Sequence, residues 1–90
     1  MNMRKLWECI KVNHKEFVVF MKYGNFYKVF GDDIYVIWKV TGYKIIDDDH
    51  IGFPVKSINS VLKKLELIGI SYVIKYSSDA RIIARIYELV

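Results

Sequence analysis

The stretch FVVFMKYGNFYKVFG, residues 17–31, contains two apolar and aromatic runs on either side of a Gly-Asn pair. The first run begins at Glu16 and ends at Lys22, and the second extends from Phe26 to Phe30. Runs rich in β-branched and aromatic residues around such a pair are typical of an antiparallel β-hairpin. We therefore predict a hairpin near the start of the chain.

The second strand of this hairpin carries a lysine between two phenylalanines. Alternation along a strand puts Phe26, Lys28 and Phe30 on one face, and it puts Tyr27 and Val29 on the other. A buried face seldom holds a lysine in such a position. The pattern therefore indicates either an exposed face or a margin at which the Lys28 ammonium reaches water.

Three segments around the hairpin have apolar residues at helical spacing. They are Met3 to about Val12, Asp33–Thr41 and Ile58–Ile68. Asp32 and Ser57 are predicted N-caps, because their side chains can accept the free N–H groups of a first helical turn. Gly42 and Gly69 are predicted to end the second and third helices.

The remaining apolar segments have the shorter pattern of strands. They are Tyr43–Ile46, His50–Val55 and Ile70–Tyr76, and Pro54 should end its strand or place it at an edge. The last segment, Arg81–Val90, fits a helix and a strand equally well by pattern alone. This order of elements predicts an α/β (α+β) fold, in which a mixed sheet of about six strands is flanked by three helices.

Length and composition predict one domain, residues 1–90, because a chain that is 53% hydrophobic can bury a core of its own. The predicted core residues are Val19, Val29, Ile37, Val61, Leu62, Leu65, Ile68 and Val73. The single cysteine, Cys9, excludes a disulfide framework. The longest apolar run, residues 17–21, is far shorter than the roughly 20 residues of a membrane span. With no signal-peptide pattern, we predict a cytoplasmic protein without a membrane partner.

Charge is distributed unevenly along the chain. The formal net charge is +4, and residues 1–31 contain six basic and two acidic residues, whereas the remainder contains eight of each. The entire basic excess thus lies in the first third of the chain. A basic end on a small domain is compatible with a phosphate-rich partner.

The sequence lacks the common catalytic motifs. It contains no phosphate-binding loop, no G-x-G-x-x-G and no nucleophile elbow, which argues against an ATPase or a dinucleotide-dependent enzyme. The run Asp47-Asp48-Asp49-His50 has side chains that ligate metals, but a turn at this place needs polar residues in any case. We predict no catalytic residue, metal or cofactor. The enzymatic alternative is a metal-dependent nuclease that uses Asp47 and Asp49.

The hairpin is also similar to a motif of a known family. Residues 24–30, GNFYKVF, resemble the G-D-F-Y-E-x-F pattern of the N-terminal mismatch-recognition domain (domain I) of the MutS DNA mismatch repair family. Further similar segments follow in the family's order: Gly52-Phe53-Pro54, Leu62 to Val73, and Arg81 to Ile86. The resemblance covers nearly the whole chain, and it favours a strand for the last segment.

The resemblance implies a DNA-binding site. In that family a phenylalanine of the hairpin enters the minor groove as a wedge and stacks on the mispaired base, to which a glutamate two residues later forms a hydrogen bond. Phe26 occupies the wedge position, and the implied DNA-binding residues are Phe26, Lys28, Asn25 and Lys22. We expect Phe26 to be at least partly exposed, because a wedge has to reach a base.

The sequence departs from the family at the glutamate position, which Lys28 occupies, and Asn25 replaces the aspartate. A lysine has no acceptor, so it cannot form the glutamate's bond to a base but can contact a phosphate. The ATPase domain and the other MutS domains have no counterpart in these 90 residues, so we expect weak, salt-sensitive binding to mismatched or distorted double-stranded DNA. The alternative is a protein-interaction or regulatory module that has lost mismatch recognition and docks on a DNA-processing protein or on itself.

Overall fold

The computed structural model describes residues 3–76 and 82–85. The helices are α1 (Met3–Val12), α2 (Asp33–Thr41) and α3 (Ile58–Leu67), and a 3-10 turn, Val55–Ser57, precedes α3. The strands are β1 (Val18–Tyr23), β2 (Phe26–Phe30), β3 (His50–Pro54), β4 (Tyr72–Tyr76) and β5 (Ile82–Arg85). No helix within these two ranges combines the length and hydropathy needed to cross a membrane.

The strands form one mixed sheet in the order β3-β2-β1-β4-β5. β1 and β4 are parallel, and the other neighbouring strands are antiparallel. The predicted hairpin is β1–β2, and β3 lies at the edge and ends at Pro54, as its proline predicts. The mixed α+β fold with three helices is confirmed for the described residues, with four strands within residues 3–76 and a fifth at Ile82–Arg85.

The expectation of about six strands was wrong because Tyr43–Ile46 is not a strand. This segment contributes one isolated bridge, between Ile46 and His50, next to a turn in which Asp47 and Asp48 have φ of 51° and 53°. Tyr43 and Ile45 pack against the core instead, with the Tyr43 ring stacked on Phe53 at 5.4 Å between centroids. Their alternation thus arises from covering the core and not from pairing in the sheet.

The strand interpretation of the last segment is confirmed over part of its length. Residues 82–85 pair antiparallel with β4, whereas residues 81 and 86–90 of the predicted segment lie outside the described residues.

Helices α2 and α3 cover one side of the sheet and α1 covers part of the other. The first side has a core that includes Phe20, Val29, Ile37, Val61 and Leu65, all at 1% exposure or less. On the other side, Trp7 and Ile10 of α1 pack on Val19, Met21, Phe30 and Val73.

Of the predicted core residues, six are buried and Leu62 is half-buried. The prediction for Ile68 was wrong, since this residue is 49% exposed. The physical reason is the end of α3, which stops at Leu67. The N–H groups of Gly69 and Ile70 donate to the carbonyls of Glu66 and Leu65, as in a Schellman motif with Gly69 at φ 73°. The chain therefore leaves the helix before Ile68 can continue the apolar face.

The side chains of the two predicted N-cap residues form no capping hydrogen bond. Asp32 and Ser57 both have helical backbone angles, whereas a capping residue is normally extended. The neighbouring Asp33 turns inward instead, and its Oδ1 accepts from Lys11 Nζ at 2.7 Å while Oδ2 accepts from Val19 N–H at 2.9 Å. Burial raises the pKa of this carboxyl by more than its bonds to Lys11 and Val19 lower it.

The approach of α1 to the sheet depends on a glycine at the end of β2. Gly31 has φ of 53°, and a Cβ at this position would lie 2.5 Å from the ring of Trp7. The same indole donates its N–H to the Val19 carbonyl at 3.1 Å. Gly31 thus allows Trp7 of α1 to pack closely against the end of β2.

Candidate nucleic-acid interface

The β1–β2 turn consists of Gly24 and Asn25. Gly24 has φ of 57°, which favours glycine although a Cβ would meet no atom within 4 Å. The Asn25 carbonyl accepts the N–H of Val55 at 2.9 Å, so the turn is tied to the end of β3. The tip of the hairpin is thereby held against the edge of the sheet while the Asn25 side chain stays exposed.

Phe26 begins β2 immediately after this turn. Its side chain is 50% exposed, as predicted for a residue that has to reach a base. Across the sheet its register partners are Tyr23 in β1 and Pro54 in β3. The ring therefore lies at the open end of the sheet face on which α1 packs.

Lys28 lies on the same face as Phe26, one alternation further along β2. It is half-buried between its partners Met21 and Gly52, and its ammonium lies 6.0 Å from the centroid of the Tyr23 ring. This is a cation–π distance. Lys28 thus lies at the margin of the buried face, with its stem on the sheet and its ammonium over the Tyr23 ring.

Tyr23 completes this surface, which we call the hairpin face and define as Tyr23, Phe26 and Lys28. The tyrosine is 61% exposed and is the direct cross-strand partner of Phe26. Tyr23 is absent from the site residues implied by the sequence, and the predicted first strand ends before it, at Lys22. The signal was available, because a two-residue turn at Gly24-Asn25 makes Tyr23 and Phe26 opposite residues of the hairpin.

The structure does not bring Lys22 to the hairpin face. Lys22 is the partner of Tyr27, whose side chain belongs to the core beneath α2 and α3, so both residues lie on the other side of the sheet. Burial, together with the nearby Tyr76, raises the pKa of the Tyr27 phenol. Of the four residues implied by the resemblance, Phe26 and Lys28 share the face, Asn25 borders it, and Lys22 lies opposite.

A shallow depression adjoins the hairpin face beside the start of α1. In addition to Tyr23 and Lys28, its lining includes Arg4, Asp49 and His50. The Asp49 carboxylate forms an ion pair with Arg4, whose Nε also lies 3.5 Å from Glu8 Oε1, and it lies 3.1 Å from His50 Nδ1. Sequence reasoning missed this group because Arg4 and Asp49 are 45 residues apart.

The acidic run at residues 47–50 has no metal-binding geometry. Within the described part of the chain, no three His, Cys, Asp or Glu side chains are placed to hold a metal ion together. Asp49 is engaged by Arg4 and His50, and Asp47 and Asp48 form an exposed turn.

Comparison with known proteins yields one family. The model of MutS domain I matches residues 1–75, which extend from α1 into β4 and include the hairpin face. None of the curated proteins compared with the chain matches it.

Proposed function

The chain belongs to the MutS domain I family, and from this premise we propose that it is a DNA-binding module that prefers mismatched or distorted duplex. The observation that carries the proposal is the position of Phe26. It is half-exposed at the tip-proximal end of β2, on a face that it shares with a lysine. The family supports a mismatch-recognition type of module, and the open aromatic side chain supports Phe26 as the wedge.

The energetic basis of the proposed preference is the cost of opening the base stack. Inserting an apolar side chain from the minor groove unstacks a base step and costs a few kcal/mol. A mispair has less pairing and stacking to lose, so the same wedge costs less there. Phe26 therefore favours a distorted duplex over a regular one without forming a hydrogen bond to any base.

Lys28 changes the balance between affinity and discrimination. Its three ammonium donors can contact a phosphate or a minor-groove acceptor, but it offers no acceptor to a base N–H. A phosphate contact strengthens binding to any DNA, whatever the sequence. We therefore propose weak binding with modest mismatch preference, with Asn25 at the border of the contact.

A salt series with a mismatched duplex and its matched homoduplex tests this function. Fluorescence anisotropy should show binding at low salt that is tighter for the mismatched duplex. The affinity should fall linearly on a log–log plot, with a slope of about −0.9 for each phosphate contacted. Absence of binding to both duplexes at low salt would contradict the proposal.

Lys28→Glu restores the residue type of the family at this position. We expect lower affinity for both duplexes, because a phosphate contact is replaced by repulsion, and a salt slope smaller by about 0.9. The ratio of mismatched to homoduplex affinity should rise, because the carboxylate can accept a base N–H. Lys22→Glu is the matched control: the same charge change on the opposite side of the sheet should leave the ratio unchanged. An unchanged ratio in Lys28→Glu would show that this position does not face the base.

A second candidate function, a protein-interaction module, is favoured by the outer side of α2. Tyr35 and Trp38 lie there at 59% and 51% exposure, one helical turn apart. A docking partner, or a second copy of the chain, would cover these rings. This alternative forecasts no DNA binding at low salt and no effect of Lys28→Glu.

A further inference from the structure

Two exposed aromatic rings lie side by side on the hairpin face. Tyr23 and Phe26 are opposite residues of β1 and β2, at 61% and 50% exposure. Opposite residues of an antiparallel pair have Cβ atoms about 4.5–5.5 Å apart, so the two side chains project from the sheet together. A wedge uses a single ring, so the proposed role of Phe26 does not account for the exposed ring of Tyr23 next to it.

The chemistry of the hairpin face favours stacking over the recognition of base edges. Apart from the Tyr23 hydroxyl, the three side chains offer no hydrogen-bond acceptor. Aromatic rings stack on any base, because every base has a π-face. The hairpin face thus suits unstacked bases, which it can bind by stacking without forming sequence-specific hydrogen bonds to their edges.

The width of the minor groove also favours an unpaired strand over an intact duplex. The minor groove of B-DNA is about 6 Å wide, and two neighbouring aromatic side chains occupy more space than the single ring of a wedge. An unpaired base needs no unstacking before it contacts a ring, so the cost that a wedge incurs in a duplex disappears.

The groups around the two rings can accommodate the phosphate backbone of DNA. The Lys28 ammonium lies over the Tyr23 ring, 6.0 Å from its centroid. The depression next to the two residues is lined by Arg4 and His50 as well, and Arg4 pairs with both Asp49 and Glu8. A phosphate next to a base on Tyr23 would therefore meet the Lys28 ammonium.

We propose that Tyr23 is a second base-stacking residue and that the hairpin face holds two successive unpaired bases of single-stranded DNA, with Lys28 contacting a phosphate between or beside them. The inference rests on the proposed function, since it uses the same face and the same wedge residue. It adds a residue and a substrate class: an unpaired segment is preferred over a homoduplex, and a mispair falls between them.

The test measures binding of a fluorescein-labelled 12-nucleotide oligothymidylate, and of a homoduplex and a mismatched duplex with the same label, by anisotropy at low salt. Tyr23→Ala should weaken oligothymidylate binding about 5- to 150-fold, the range that corresponds to loss of one stacking aromatic. Tyr23→Phe should bind like the unmodified chain because the ring is retained. The control is Trp38→Ala, which removes a ring of similar exposure, 51%, on α2 and should leave binding unchanged. Thermal melting of each variant accompanies the titrations, and an unchanged midpoint assigns the loss to binding.

The outcomes separate this inference from the proposed function. Suppose that Tyr23→Ala binds like Trp38→Ala and that the mismatched duplex still binds more tightly than the homoduplex. The assignment of Tyr23 as a second stacking residue is then wrong, and the proposed duplex-binding function stands. If the homoduplex binds as tightly as oligothymidylate, the substrate class is wrong. If the unmodified chain binds none of the three DNAs, both proposals are overturned.

Discussion

Replacing Asp33 with alanine is expected to lower the free energy of unfolding by about 3–5 kcal/mol, the range for removing one partner of a buried ion pair. The Asp33 carboxylate is 4% exposed and bonds to Lys11 from α1 and to the Val19 N–H of β1. Alanine would leave that N–H without its acceptor and the half-buried Lys11 side chain without its counter-charge. The loss is therefore larger than that of a surface carboxylate.

The adjacent Asp32 provides the control for this measurement. It is exposed, and its side chain forms no capping hydrogen bond, so Asp32→Ala should change stability by no more than about 0.5 kcal/mol. Urea denaturation of the two variants gives both values. Equal losses in the two variants would show that Asp33 does not hold α1, β1 and α2 together as the structure indicates.

Replacing Leu65 with alanine is expected to cost about 2–5 kcal/mol. Leu65 is 0% exposed in the core between α3 and the sheet, so truncation removes apolar contacts and leaves a cavity that its neighbours fill only in part.

Leu67 provides a control for this measurement within the same helix. It is two residues further along α3 and 73% exposed, so Leu67→Ala has the same change in helix propensity without a cavity. Its effect on the free energy of unfolding, measured by urea denaturation, should be within about 0.5 kcal/mol. A loss below about 0.5 kcal/mol in Leu65→Ala would mean that α3 packs on the sheet through another face.

Local patterns predicted the elements that matter most for the candidate site. Alternation in β2 was enough to place Phe26 and Lys28 on one face and Tyr27 on the other, because a strand has a period of two whatever surrounds it. The end of α2 also followed from a local signal, with Gly42 at φ 78° ending the helix at Thr41 as predicted.

The wrong prediction for Ile68 had a local cause, the end of α3 at Leu67, whereas three other misses came from contacts between residues distant in sequence. Whether Asp32 or Asp33 turns inward depends on Lys11, which is 22 residues away from Asp33 and belongs to another element. Tyr43 and Ile45 alternate as in a strand because they pack on a core to which Phe53 belongs, and nothing within their own segment distinguishes the two cases. The ion pair of Arg4 with Asp49 beside the hairpin face likewise required the tertiary structure.

The role of Phe26 is tested most directly by one comparison, the binding of the unmodified chain and of Phe26→Ala to a mismatched duplex and to its homoduplex. Stacking of a base on an aromatic ring is worth about 1–3 kcal/mol, so Phe26→Ala should lose that much affinity for the mismatched duplex and clearly less for the homoduplex. Trp38→Ala, which removes an equally exposed ring from α2, should change neither affinity. Equal losses of Phe26→Ala on the two duplexes, or no loss on either, would contradict the assignment of Phe26 as the residue that recognises distorted DNA.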